Sequence, residues 1–286
     1  MAVLFRFLAR LPLPLLHNLG ALLGWLVYFV SPTYRRHLRD NTAAANAGAL
    51  RWAAIAEAGK CVLELPKIWL RPQTEVIARV VRVSGWALVE AAWAEQRAIL
   101  FLTPHLGCFE IAAQYYAAQQ PMTVLYREPK QAWLRPLMVA GRGAHLKLAS
   151  ADPTGVRQLL KALRRREAVG ILPDQVPGRG EGVWSTFFGR PAYTMTLAAR
   201  LAEGDAQVIL IYAERLPYGA GYHLRVSGLT APLSGTLTQR VGQLNRELER
   251  LIGECPAQYL WGYNRYKTPP GTPLPTAPSG EGQTET

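Results

Sequence analysis

The chain has 286 residues, of which 49% are apolar and only 18% charged, so it can bury a sizeable core and its body is not intrinsically disordered. Lys and Arg total 32 against 20 Asp and Glu, and a net charge of +12 favours anionic partners: nucleic acid, anionic lipid or an acidic carrier protein. The three cysteines, Cys61, Cys108 and Cys255, are far apart and form no C-x-x-C pair, which excludes a disulfide framework and points to a reduced, cytosol-facing location.

The first predicted element is apolar. From Leu11 to Tyr34 there is no formally charged residue, and the densest part runs from Leu19 to Val30. A spanning helix needs ~20 apolar residues, so this length is borderline. Arg6 and Arg10 precede the segment and Arg35, Arg36 and Arg39 follow it, while Trp25, Tyr28 and Tyr34 suit a membrane interface. Residues 1–34 therefore read as a membrane-embedded or interfacial anchor on the cytoplasmic face, with Gly20 and Gly24 fitting a G-x-x-x-G pairing face.

Residues 49–71 follow as a helix, with Pro66 marking a kink or boundary. Short unbroken apolar runs then predict buried strands at 98–103, 122–126, 168–172 and 207–212. Between them, Val156, Leu159, Leu160 and Leu163 form one helix face opened by Asp152-Pro153. Leu237, Val241, Leu244, Leu248 and Leu251 form another, opened by the capping-box pattern Thr236-x-x-Gln239. Strands alternating with helices predict an α/β fold with a mostly parallel central sheet flanked by helices. The proline- and glycine-rich stretch 268–286 reads as a disordered tail, leaving 35–267 as the main domain.

His105 leaves a predicted strand and enters a helix start, where open α/β sheets place their ligands. A neutral imidazole there can take a hydroxyl proton. Glu110 could hold its other ring nitrogen, although five residues on a straight helix are about 140° apart, so contact needs His105 to fold back from the preceding turn. On spacing alone, a His capping a helix with Glu110 merely solvated or paired is the favoured reading, because a lone H-x4-E is a weak signal. Arg127 sits just past a strand and could clamp a phosphate or an oxyanion, or simply pair with Glu128. Asp174 follows another strand, and Arg179 lies in the glycine-rich stretch 177–182, which carries no nucleotide-binding signature. No paired His or dense carboxylate cluster suggests a metal. Arg157, Lys161, Arg164, Arg165 and Arg166 make a basic helix face, suited to solvent, to an acidic carrier protein or to anionic head groups. A nucleic-acid binder is disfavoured, because no aromatic-interleaved basic motif or DNA-reading element occurs.

Four ordered blocks carry a resemblance. They are His105-Leu-Gly-Cys-Phe-Glu110; Tyr126-Arg127; Ile171-Leu-Pro-Asp-Gln175 with Pro177-Gly-Arg179 and Phe187-Phe-Gly-Arg190; and Gln258-Tyr-Leu-Trp261 with Asn264-Arg-Tyr-Lys267. Together they resemble the bacterial lipid A biosynthesis acyltransferases, the late lauroyl and myristoyl transferases of the lysophospholipid acyltransferase superfamily, over roughly residues 5–267. One departure is Asn264, which stands where the family commonly has the first of two basic residues before an aromatic.

The resemblance implies a glycerol-phosphate-acyltransferase-like fold and transfer of a fatty acyl chain from an acyl thioester to a lipid hydroxyl at the inner membrane. The donor would be acyl carrier protein or coenzyme A thioester, with no other cofactor and no metal. His105 would be the base, Glu110 would orient it, and Arg127, Asp174 and Arg179 would bind substrate; Cys108 matches no catalytic position. Other acceptors (a lysophospholipid, a phosphoglycolipid or an amino-acid lipid) and an inactive lipid-binding protein are the competing readings.

Overall fold

The computed structural model describes residues 2–129 and 131–275. Three helices open the chain: α1 (Ala2–Arg10), α2 (Leu13–Val30) and α3 (Pro32–Ala44). The long α4 (Arg51–Leu70) and short α5 (Gln73–Ile77) lead to β1 (Val80–Ser84), α6 (Ala87–Ala94), β2 (Ile99–Leu102) and α7 (Phe109–Ala117). Then come β3 (Met122–Tyr126), α8 (Arg135–Gly143), β4 (Lys147–Ser150), α9 (Pro153–Arg164) and β5 (Ala168–Ile171). A hairpin of β6 (Gly182–Phe187) and β7 (Arg190–Met195) precedes α10 (Leu197–Leu201), β8 (Gln207–Arg215), β9 (Tyr222–Gly228) and α11 (Leu237–Glu254).

The capping chemistry acts as the sequence predicts. Asp152 accepts from the Gly155 amide at 2.9 Å to open α9, and Thr236 and Gln239 exchange both capping-box bonds at the start of α11. Pro66 does not end α4, which continues to Leu70.

Seven strands form one sheet in the order β1-β9-β8-β2-β5-β3-β4. The run from β8 to β4 is parallel, while β9 pairs antiparallel with β8 and β1 parallel with β9. The sheet is thus mostly parallel, with two reversed strands at one edge. β2, the central strand, is buried throughout, and its alternation splits the core. Leu100 and Leu102 join Leu159, Leu244 and Leu248 on one face of the sheet, whereas Ile99 and Phe101 join Ile111, Tyr116 and Val89 on the other. Because β2, β3, β5 and β8 are parallel, their carboxyl ends open on a single edge.

The glycine face of α2 is used inside the chain. A Cβ on Gly24 would lie 2.1 Å from the Ile55 carbonyl oxygen, so α2 and α4 touch backbone to backbone. That contact leaves Leu15, Leu19, Leu22, Leu26, Phe29 and Val30 exposed on the outer face of α2, beside Val3, Leu4 and Phe7 of α1. Among the described residues α2 is the one helix long and apolar enough to cross a membrane. Of the expected tail, the start is described: the Pro273 carbonyl accepts from the Trp184 indole at 2.7 Å, and residues 276–286 lie outside the described residues.

Candidate active site

β2 and β5 are neighbours in register, with Leu102 opposite Ile171. His105 and Asp174 each stand three residues beyond the end of their strand, so the sheet delivers them side by side. The Asp174 carboxylate takes both hydrogen-bond donors of His105 that face it: the backbone N–H at 2.9 Å and ring Nδ1 at 2.8 Å. Asp174 is 2% exposed. Burial pushes its carboxyl up, but the charge and hydrogen bonds of His105, with Arg265 further off, hold it below the ordinary carboxylate range. An ionised Asp174 fixes the Nδ1–H tautomer and leaves the Nε2 lone pair as the basic atom. The Gln175 side-chain amide sits 3.1 Å from that Nε2 and donates to it.

The loop carrying His105 is fastened on two sides. The Cys108 amide donates to Ala213 at 2.8 Å, and buried Arg215 donates to the Gly107 carbonyl at 2.6 Å. On the other side Leu260 N–H donates to the His105 carbonyl and Gly107 N–H to Gln258, both at 3.1 Å. The block 258–265 is therefore a brace for the histidine loop. Tyr263 also accepts from the Val176 amide at 3.0 Å, just past Asp174 and Gln175. Arg265 is buried on Tyr193 and Thr194, while Asn264 beside it is exposed.

Glu110 does not hold His105. It lies in the first turn of α7 and forms a two-pronged ion pair with Arg142 of α8, through Arg142 Nε at 2.8 Å and Nη2. The reason is local. Gly107 takes a left-handed turn (φ 59°), in which a Cβ would lie 2.0 Å from the Ala213 carbonyl oxygen. His105 stays on the strand side of that turn beside Asp174, and Glu110 starts the helix beyond it. Burial disfavours charge on Arg142, but Glu110 outweighs it and raises the guanidinium further. Removing one partner of a fully buried pair costs about 3–5 kcal/mol, and less is expected here because Arg142 is only partly buried in the cavity wall. Glu110→Ala should therefore lower stability as well as activity, and Arg142→Leu added to it should cost much less than Arg142→Leu alone. Thermal melts of the two single variants and the double variant check this; fully additive losses would contradict the pairing.

A cavity of about 570 Å³ opens in front of His105. Its polar walls include His105, Arg127, Arg142, Glu181 and Arg200, and its apolar walls include Leu125, Met138, Val156, Leu172, Val176 and Leu197. Arg127 faces this space from the end of β3, and Glu128 pairs with Arg135 at 2.9 Å instead of with Arg127. Arg179 is not among the cavity walls; its guanidinium lies against the backbone of Gly271. Cys108 is buried, and burial pushes its thiol well above the ordinary range, so it supplies no thiolate. His17 and His223 bond to Glu64 and Ser84 away from the cavity. Among the described residues no group of three or more His, Cys, Asp or Glu is gathered as a metal site.

Arg142 gave no sequence signal; it comes from a stretch with no motif. Gln175 stood within the Ile171–Gln175 block, with no feature to separate it from its neighbours.

An imidazole oriented by a buried carboxylate, facing an apolar cavity with arginines in its wall, suits base-assisted acyl chemistry. The sequence profile of the bacterial lipid A biosynthesis acyltransferases matches residues 1–268. The chain belongs to that family. It is an acyltransferase for groups other than aminoacyl groups, acting in lipid A biosynthesis. It is 29% identical to the lipid A biosynthesis lauroyltransferase of Escherichia coli K12, over 75% of this chain and 71% of the relative. It is 26% identical to that organism's lipid A biosynthesis palmitoleoyltransferase, over 74% and 69%. A lipid A biosynthesis acyltransferase of Haemophilus influenzae is 24% identical over 96% of this acyltransferase and 91% of the relative.

Proposed function

We propose that this acyltransferase moves a fatty acyl chain from an acyl carrier protein thioester to a hydroxyl of a lipid A precursor, at the cytoplasmic face of the inner membrane. The observation that carries the reading is His105, with its Nδ1 on Asp174, in the wall of a cavity lined by both apolar and basic side chains. His105 Nε2 takes the acceptor hydroxyl proton as that oxygen attacks the thioester carbonyl. The tetrahedral intermediate then collapses, the C–S bond breaks, and the thiolate leaves with the proton from the imidazolium. Asp174 stays ionised throughout and steadies the cation. Gln175 gives up the Nε2 lone pair when the hydroxyl arrives, so Gln175→Ala keeps the base. Glu110 acts through Arg142, which it holds in the cavity wall.

The relatives are named for lauroyl and palmitoleoyl transfer, so family membership leaves the chain length open. The donor reading rests on α9. Its first residues, Pro153 and Val156, wall the cavity, and its outer face exposes Arg157, Lys161 and Arg164, a surface suited to an acidic carrier. Mass spectrometry of lipids from a strain lacking this protein tests the acceptor. A lipid A species short of one acyl chain is expected, and unchanged lipid A would overturn the reading.

Arg127 is assigned to an anionic group of substrate or to the oxyanion. Lys keeps the charge but loses the planar fork. Arg127→Lys should therefore be clearly impaired, and Arg127→Ala worse, by about 10²-fold. Lower turnover would mark an oxyanion role, and a raised acceptor requirement a head-group role. Parent-like kinetics in both variants would remove Arg127 from the site.

The exposed apolar face of α1 and α2 is assigned to the membrane. Leu22→Glu with Leu26→Glu, both remote from the α4 contact, should move the protein from the membrane pellet to the supernatant at high salt. A protein that stays in the pellet would contradict the assignment.

A further inference from the structure

A buried ion network lies behind the histidine loop, and none of its charged residues walls the cavity. Arg215, the last residue of β8, is 3% exposed, and Glu64 of α4 is fully buried. Arg215 Nε donates to both Glu64 carboxylate oxygens, at 2.9 and 3.0 Å. Its Nη1 donates to Glu57 at 3.0 Å and to the Gln258 side chain at 3.3 Å. Its Nη2 donates to the Gly107 carbonyl at 2.6 Å. Glu64 also accepts from the Tyr222 hydroxyl at 2.9 Å and lies 3.2 Å from His17 Nε2. Burial pushes the Glu64 carboxyl up, but the Arg215 charge and the hydrogen bonds of His17 and Tyr222 hold it below the ordinary carboxylate range. Buried ions are costly to desolvate, and well-packed apolar side chains in their place are often neutral or stabilising. Fold stability is therefore a weak reason for this network, and the Nη2 arm supplies a better one.

Gly107 turns left-handed, and a glycine has no side chain to hold that conformation. The peptide groups on either side of it are held instead. The Gly107 N–H donates to the Gln258 carbonyl at 3.1 Å. The next peptide is held through the Cys108 N–H on Ala213 at 2.8 Å and through the Gly107 carbonyl on Arg215. The Arg215 bond is the shortest of these and is charge-assisted. Among the described residues, the other donor near that carbonyl is the Cys61 thiol, at 4.0 Å. We propose that Arg215 is a positioning residue for acyl transfer: it fixes the Gly107 turn and, through it, the placing of His105 against Asp174 and the cavity. Glu57 and Glu64 hold the guanidinium in the orientation that aims Nη2 at Gly107. A misplacement of about 1 Å at a reacting group can cost about 10²-fold in rate. This assignment rests on the acyl-transfer reading above, with His105 as the base.

The test measures kcat, both KM values and the melt of purified full-length protein in detergent, with a lipid A precursor and acyl carrier protein thioester. Arg215→Lys keeps the positive charge between the carboxylates but has a single nitrogen, which cannot span Glu57, Glu64 and Gly107 together. At a temperature where it is folded, it should lower kcat by about 10- to 10²-fold and leave both KM values within about twofold of the parent's. Glu57→Gln provides the contrast. It takes a carboxylate from Nη1 and leaves the Nη2 arm on Gly107, so it should lower the melting temperature and keep kcat within about threefold. Parental kcat in folded Arg215→Lys, or a kcat that simply follows the melting temperature across the two variants, overturns the proposal. If Arg215→Lys fails to fold, Arg215→Met with Glu64→Met removes two opposite buried charges together and should fold. It should show the same loss of kcat, and parental kcat in this folded double variant overturns the proposal. A parent that transfers no acyl chain, or His105→Ala as active as the parent, overturns the acyl-transfer reading itself, and the role of Arg215 with it.

Discussion

His105→Ala should cut kcat/KM for acyl transfer by about 10³-fold, because it removes the proposed general base. The loss should fall on turnover. Stability should fall as well, since the ring is only 16% exposed and its loss takes from the buried Asp174 carboxylate the partner at Nδ1. Gln175→Ala provides the contrast. It strips the group that shares Nε2 but spares the base, so its loss should stay below about tenfold. A circular dichroism spectrum like the parent's at the assay temperature, with a lower melting temperature and turnover gone, completes the expected result. Near-parental turnover in folded His105→Ala would remove the general base.

Asp174→Asn carries the second large effect. The carboxylate accepts two hydrogen bonds at once, from the His105 backbone and from its Nδ1. An amide has a single acceptor oxygen, so either the backbone N–H goes unpaired or the imidazole takes the wrong tautomer. A loss of about 10²–10⁴-fold in turnover is expected, in line with other carboxylate–histidine pairs. The substitution also has a pH signature. The Asp174 pKa is depressed in the folded protein, so its stabilising contribution is present above the unfolded carboxylate pKa of about 3.9 and is lost as pH falls through the folded value. Parent and Asp174→Asn should differ most in melting temperature near neutral pH and converge in strong acid. A gap that stays constant with pH would show that Asp174 gains nothing from His105.

Much of the architecture was written in periodicity. The strands at 99–102, 122–126, 168–171 and 207–215 are buried enough to read as unbroken apolar runs, and the caps of α9 and α11 are local chemistry. The edge strands were not legible in the same way. β1 reads Val-Val-Arg-Val-Ser and β4 Lys-Leu-Ala-Ser, half-exposed segments whose pairing depends on neighbours far along the chain. The same limit governs the site. His105 was visible because strand end, glycine turn and helix start are contiguous in sequence. Its true ring partner, Asp174, is 69 residues away, and only the adjacency of β2 and β5 brings it there. Sequence proximity favoured Glu110 instead, whose partner Arg142 arrives from α8 through tertiary packing. Asp174 was legible as a candidate site residue but not as the partner of the His105 ring. The block 258–267 was legible as a signature, yet its contacts are internal: backbone bonds to the histidine loop and the buried Arg265.

The central claim is that the His105–Asp174 pair drives transfer of an acyl chain from a thioester to a lipid hydroxyl. The most direct measurement is mass spectrometry of the lipid after incubating a lipid A precursor and acyl carrier protein thioester with the purified parent, His105→Ala or Asp174→Asn. The account predicts that the parent adds one ester-linked acyl chain to the precursor and releases the free carrier thiol, while both folded variants leave the lipid essentially unchanged. An unmodified precursor with the parent, or equal acylation by folded His105→Ala, would contradict it.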